Sequence, residues 1–344
     1  MLKRLVNELR CTLLIRTEGP VLVKSGHSSV AGPDMTPVRT YRGGRLEVYL
    51  PGSSLKGVIR SHLEKVGRTL NPGAVCNPFL KPESIDPTAG GSPGFSEVAC
   101  SEKFQARKNG KMRTQGGRWC RSQEDLEDTP DTVYADSCPV CRLFGSNSHI
   151  GRLSIGDAYL TKSYSPNVEP VEFRDGVGID RISGGAAPQV KFDLQAISPG
   201  VEFAAEVLVR NFECWQLGML LAAFADLRDG LLRVGMGRSR GLGAVTGSTE
   251  SLSISFLGAL PGRRSGEVWG LGKFLGDGSY GTVAEDVLVV TPSSERQHGL
   301  RSTLTYEGDA LQKLQNAAIA LFVERLQTWE VPAAMCWPGD WRRA

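Results

Sequence analysis

Residues 201–230 read VEFAAEVLVRNFECWQLGMLLAAFADLRDG. In the first half Val201, Phe203, Ala205, Val207 and Val209 alternate with Glu202 and Glu206, the period of two that a strand with one buried face requires. In the second half Leu217, Leu220, Leu221 and Phe224 fall at i, i+3, i+4 and i+7, which predicts an amphipathic helix stopped at Gly230. The same succession stands near the start of the chain. Leu9, Cys11, Leu13 and Ile15 alternate with Arg10, Thr12 and Arg16, and Leu55, Val58, Ile59, Leu63 and Val66 recur at helical spacing. Ser53 and Ser54 are placed to cap that helix, and Gly67 stands near its end. With further strands over Leu153–Leu160 and at Val245 or Leu252–Phe256, the order is strand, helix, two strands, helix, strand. That is the split βαββαβ arrangement, and the expected fold class is α+β.

Three segments interrupt the pattern. Thr17–Tyr49, rich in Gly, Ser and Pro, reads as a long loop ending in a short strand, Leu46–Leu50; long loops in compact domains carry function or are disordered. Asn71–Ser137 is Pro-, Gly-, Ser- and charge-rich, and reads as an insertion rather than core. Beyond residue 262 a separate tail is expected, with a helix carrying Leu311, Leu314, Ala318, Leu321 and Phe322 on one face.

The chain has 344 residues, 40% of them hydrophobic and 22% charged, and its longest apolar runs, such as Met219–Phe224, fall far short of the ~20 residues a membrane helix needs. No signal-peptide core follows Met1, so a cytoplasmic protein without a membrane partner is expected. Eight cysteines are too few for a small disulfide scaffold, which leaves thiols or metal ligands. The net charge of +3 is unevenly spread: residues 1–70 hold 12 Lys and Arg against 5 Asp and Glu, and 101–121 hold 7 against 1. Basic segments of this kind suit a phosphate backbone, although a solvated basic face looks the same.

Cys138-Pro-Val-Cys141 has the spacing at which two thiolates meet one ion, and Cys76, Cys100 and Cys120 lie upstream of it. A zinc bound there would supply folding energy that so polar a segment lacks; redox chemistry fits less well, because no thioredoxin-like pattern surrounds the pair. Spacing does not decide which upstream cysteines complete the site. Gly235–Gly243 interleaves glycines, Gly237 among them, with Arg238 and Arg240. Such a segment offers backbone N–H groups and guanidiniums to phosphate oxygens, or is a tight turn with exposed arginines. It is neither a Walker loop nor a dinucleotide fingerprint. None of the four histidines sits in a hydrolase motif. His27 and Asp34 share the long loop with Lys24 and Arg39, where an acid among bases positions a metal or accepts a proton beside a phosphate.

Four motifs in order, Pro51–Arg60 (PGSSLKGVIR), Cys138–Ser146 (CPVCRLFGS), Gly178–Gly185 (GIDRISGG) and Gly235–Gly243 (GMGRSRGLG), make the chain resemble the RAMP superfamily of CRISPR proteins. The likeness covers roughly residues 8–258 and is to the backbone subunit of type III effector complexes. The resemblance implies an RRM-like, ferredoxin-like core over 1–262 with a zinc-binding insertion at 71–142 and a thumb β-hairpin at 178–199, followed by an extension over 263–344. It implies a ribonucleoprotein in which the subunit holds guide crRNA beside neighbouring RAMP subunits and other effector subunits. Ser53, Ser54, Lys56 and Arg60 would meet the guide backbone, as would Gly237, Arg238 and Arg240. Ile182 would wedge into the guide–target duplex, and Asp180 and Arg181 would anchor the base of the thumb. Asp34 falls where the family places an acid that cuts target RNA, with a divalent cation such as Mg2+; His27 and Arg39 would steer the phosphate, and Lys24 with them. The alternative is a non-catalytic crRNA-binding subunit. Members of types III-D and III-E hold a zinc with four cysteines, and by that likeness Cys76, Cys100, Cys138 and Cys141 are the expected ligands, with Cys120 the alternate.

Overall fold

The computed structural model describes residues 4–26, 32–78, 99–103, 130–164, 169–258 and 260–330. His27, Cys120 and the basic run over 104–121 lie outside them.

The predicted strands form. β1 (Asn7–Thr17) buries Leu9, Cys11, Leu13 and Ile15 and exposes Arg10, Thr12 and Arg16. α1 (Gly52–Leu70) buries Leu55, Ile59 and Leu63 on one face. Two short helices, α2 (Pro130–Ala135) and α3 (Pro139–Phe144), lead to β2 (Leu153–Ile155). A long ribbon follows, β3 (Val171–Ile179) paired with β4 (Ala186–Ile197). Then come β5 (Glu202–Arg210), α4 (Cys214–Arg228), β6 (Val245–Ser248), β7 (Ser251–Leu257), β8 (Ser294–His298), β9 (Arg301–Glu307) and α5 (Gly308–Gln327). The main sheet runs β8-β9-β7-β1-β5-β2, each neighbour antiparallel; β6 also pairs with β1, and Tyr159–Leu160 with β5. The molecule is thus mixed α/β with a mainly antiparallel sheet.

Four expectations are corrected. The serines do not cap α1: Pro51 is its N-cap, no side chain caps it, and the Asp157 carboxylate accepts the Gly52 N–H at 2.8 Å. A side chain at residue 52 would lie 2.2 Å from the Ile155 carbonyl oxygen, so only glycine lets the helix start this close to β2. The strand expected over Leu46–Leu50 forms over Arg45–Val48, but the loop expected before it also carries a strand, Arg39–Arg42, which pairs with it as a small ribbon. The ribbon expected at 178–199 begins at Val171, and Asp180 and Arg181 occupy its tip rather than its base. Finally, residues past 262 are not a separate tail, because β9 pairs with β7 from Ser251↔Glu307 to Leu257↔Arg301.

That last correction explains a further one. α4 is buried almost all round rather than amphipathic, since α5 packs along the side that the isolated pattern leaves to solvent. Gly218 marks the crossing: a Cβ there would fall 1.8 Å from the Ala318 carbonyl oxygen. Glu213 and Gln216 close a reciprocal capping box at the start of α4. Among the described residues no helix is long and apolar enough to cross a membrane.

Candidate functional site

Two sets of predicted residues come together, each with different neighbours. The first set surrounds a small apolar cluster of Leu22, Leu194, Ala196 and Leu242, against which Met35, Phe192 and Met236 pack. Three segments distant in sequence meet there through their backbones. Met236 N–H donates to the Leu22 carbonyl at 2.8 Å, Gln195 N–H to Met35 at 2.8 Å, and Gly243 N–H to Pro20 at 2.7 Å. Gly235 makes this approach possible, for a Cβ there would lie 2.3 Å from the Leu22 carbonyl oxygen, and its φ of 86° is left-handed.

Around this cluster the chemistry-bearing side chains are displayed. Asp34 is exposed, and its Oδ2 accepts the Asp193 N–H of β4 at 3.2 Å. Arg39 forks onto Glu169, with Nε and Nη2 each 2.9 Å from a carboxylate oxygen, and Nη2 also donates to Gln195 Oε1 at 2.7 Å. Arg39 therefore braces the ribbon's root, through a partner 130 positions away that no local pattern announces. Arg238–Arg240 form one 3-10 turn between left-handed Gly237 and Gly241; both arginines are exposed, and the Arg240 guanidinium lies 5.3 Å from the Phe192 ring centre. Asp34, Gly237, Arg238 and Arg240 thus flank the stem of the β3–β4 ribbon. At its tip Ile182 is 98% exposed, and Arg181 is exposed beside it. Asp180 shapes the tip by accepting the Ile182 N–H and the Ser183 hydroxyl, bonds that hold its carboxyl below the usual range. Phe173, Val177 and Ile179 leave the ribbon with an exposed apolar surface.

The second set lies where α1 meets α3. Cys76, Cys100, Cys138 and Cys141 are all buried thiols, and their sulfurs lie within 4.8 Å of one another. The Cys76 Sγ is 3.6 Å from that of Cys138 and 3.7 Å from that of Cys141. Four sulfurs bound tetrahedrally at ~2.3 Å stand about 3.8 Å apart, whereas a disulfide needs ~2.05 Å. The spacing is compatible with a metal cage rather than a disulfide, and the donor set could hold a soft or borderline ion. Backbone N–H groups support it: Cys141 N–H donates to Cys138 Sγ at 3.4 Å, and Cys138 N–H to Cys100 Sγ at 3.3 Å. Burial opposes ionisation of Cys138, but hydrogen bonds from Cys100, Cys141 and Cys76 outweigh it and hold this thiol well below its ordinary value.

Arg60 belongs to this centre. Its Nη2 donates to Cys141 Sγ at 3.2 Å, its Nη1 to the Gly145 carbonyl at 3.1 Å and its Nε to Glu64 at 3.0 Å. Lys56 Nζ donates to the Leu153 carbonyl at 2.8 Å, and burial lowers its pKa, with repulsion from Arg60 adding to the shift. The two cations therefore do not project together from α1 toward a shared phosphate backbone. Ser53 is exposed at the first turn, Ser54 half-buried. Nothing in the spacing of the sequence announces that Arg60 reaches a cysteine 81 positions away.

No curated protein matches the chain. A model of the RAMP superfamily matches residues 14–246, a span that takes in Asp34, α1, the four-cysteine cluster, the ribbon and the glycine-rich turn, and the chain belongs to that superfamily.

Proposed function

We propose that this chain is a backbone subunit of a type III CRISPR effector, binding guide crRNA and cutting complementary target RNA at regular intervals through Asp34. RAMP membership makes it a CRISPR-associated RNA-binding module, of a kind that works in complexes with RNA and other subunits. The observation that carries the finer reading is the convergence of the Asp34 loop, the glycine-rich turn and the ribbon stem on one apolar cluster. The element and strand order support it: β1, α1, β2, β5, α4 and β7 follow in the order βαββαβ, and their strands stand in the sheet as β7-β1-β5-β2, as a ferredoxin-like core would have them. Arg238 and Arg240 would meet guide phosphates, and the apolar ribbon with Ile182 at its tip would press on the guide–target duplex. The four cysteines would hold a structural zinc.

For cleavage, the 2′-hydroxyl of a displaced target nucleotide attacks the adjacent phosphorus in line and gives its proton to Asp34. A 2′,3′-cyclic phosphate forms, the bond from phosphorus to the 5′-oxygen breaks, and that oxygen takes a proton from solvent water. A divalent cation such as Mg2+ would neutralise charge on the phosphate. The test is target cleavage by the reconstituted complex carrying Asp34→Ala. A loss of about 100-fold or more in fragments at regular spacing is expected, by the usual weight of a general base; unchanged cutting at every site would sink the catalytic role. One observation favours a second reading, a non-catalytic subunit: the Asp34 carboxylate ties its loop to the Asp193 backbone, a purely structural duty. That reading predicts guide and target binding with no fragments when Mg2+ is supplied.

A further inference from the structure

Between α2, the turn after α3 and the 279–281 turn lies a cavity of about 280 Å³. Its lining includes Tyr134, Ser148, His149, Ile150, Arg152 and Tyr280. The polar tips of two of its rings are already engaged. The Tyr134 hydroxyl donates to Glu213 at 2.9 Å and accepts from Gln216 at 2.8 Å. His149 spends one ring nitrogen on the Cys141 carbonyl at 2.9 Å and the other on the Ser146 hydroxyl at 3.3 Å. The guanidiniums of Arg142 and Arg152 lie over the Tyr134 ring, and the half-buried His149 and Tyr280 rings stand at an angle to it, 6.0 and 6.2 Å between ring centres, along the cavity wall.

One polar atom of this wall has no partner among the described residues. Arg152 is 6% exposed, and its Nε–H finds no acceptor there. A buried donor left unmatched costs roughly 1–3 kcal/mol. Tyr280 adds a second peculiarity: its φ of 60° is left-handed, a conformation a bulky residue rarely adopts, and the Asp131 carboxylate holds its N–H.

We propose that this cavity takes a nucleobase of single-stranded RNA, its ring against Tyr280 and His149 and a carbonyl oxygen on the Arg152 Nε–H. The site is separate from the Asp34 face and rests on the RNA-binding reading of the chain. A buried, unmatched donor beside aromatic walls suits a flat ring bearing a well-placed acceptor. A bare phosphate would leave the rings unused, and a purely apolar guest would leave the donor unmatched.

The full-length chain, freed of nucleic acid, is examined by saturation-transfer NMR with uridine 5′-monophosphate and, separately, ribose 5-phosphate. Saturation of the uracil protons is expected, with at least tenfold less transfer to ribose 5-phosphate. Tyr280→Asn removes the ring while tolerating the left-handed backbone, and is expected to weaken uridine monophosphate about tenfold; Ser148→Trp, which fills the cavity, should abolish it. Equal transfer to the two probes, no transfer to either, or full affinity in Tyr280→Asn overturns the proposal. RNA co-purifying with the chain is sequenced in parallel: RNA retained without a uracil signal sinks the cavity alone. Absence of RNA alongside a uracil signal sinks the RNA-subunit reading and leaves a nucleotide site.

Discussion

At the scale of single residues, a cation counts toward RNA binding only if its charge is not already spent. Lys56 and Arg60 are spent, on the Leu153 carbonyl and on Glu64 and Cys141, whereas Arg240 is exposed on the glycine-rich turn. Arg240→Ala is therefore expected to weaken RNA binding uniformly across sequences and to lower the slope of log affinity against log salt by about one, while Lys56→Ala leaves that slope unchanged. Titration of binding across a salt series decides it, and equal slopes for Arg240→Ala and the parent would remove the phosphate contact. Asp286 raises a different question, of stability. Its carboxylate accepts the Cys214 N–H at 2.9 Å and the Gly272 N–H at 3.1 Å, but burial, helped by the nearby Glu213 charge, pushes its pKa up to about 7. The folded chain thus holds this proton more tightly than the unfolded chain. The associated stability is fully present below the unfolded value of about 4 and is lost as pH rises through 7. The loss is at most about 4 kcal/mol. Urea unfolding at pH 4.5, 6 and 8 should show this decline, and Asp286→Asn should flatten it; a parallel decline in the variant would place the titrating group elsewhere.

At the scale of elements, α4 shows why a sequence pattern can give the right helix and the wrong surroundings. Leu217, Leu220, Leu221 and Phe224 identified the helix, yet its opposite face is covered by α5, which arrives almost 100 residues later and leaves no trace in the local period. β1 and β5 were legible because each has one buried face, and alternation is a local property. The caps were not. The first turn of α1 is anchored by Asp157, brought back by the sheet, and serines at the right positions mean little when a distant carboxylate reaches the N–H first. The CxxC pair was visible from spacing, while its union with Cys76 and Cys100 needed either a family likeness or the fold itself. Gly218 tests the α4–α5 packing directly. In an exposed helix Gly→Ala gains about 1 kcal/mol. Here the added methyl meets the Ala318 carbonyl, and Gly218→Ala should cost roughly 1–3 kcal/mol instead. A variant as stable as the parent in thermal unfolding would mean that the two helices separate readily.

At the scale of the whole molecule, the four-cysteine cluster and the C-terminal segment hold the same region from two sides. Cys138 and Cys141 flank the first turn of α3, and Arg142, the next residue, donates to the Gly281 carbonyl at 3.2 Å and lies 4.5 Å from the Trp329 ring centre. Arg142 also sits 3.6 Å from Glu213, both of them buried, so the start of α4 is tied into the same knot. A metal held by Cys76, Cys100, Cys138 and Cys141 would close the 71–142 segment onto α1, and its removal leaves four buried thiols with mutual hydrogen bonds in its place. Because the four cysteines are a small part of a main core that also takes in β1, β5, α4 and α5, loss of the metal should not unfold the chain, as it does a zinc finger; it should loosen α3 and the elements that lean on it. Treatment with a strong chelator is expected to release one metal per chain and to lower the unfolding free energy, by less than the ~10–16 kcal/mol that a zinc-finger peptide gains from its metal. Hydrogen exchange should rise in 133–145 and 279–282 while β1 and β5 stay protected. Cys138→Ser should reproduce the effect without chelator, since it removes one sulfur from a set of four. Elemental analysis that finds no metal in the purified chain, together with an unfolding midpoint indifferent to chelator, would leave the cluster as four packed thiols and nothing more.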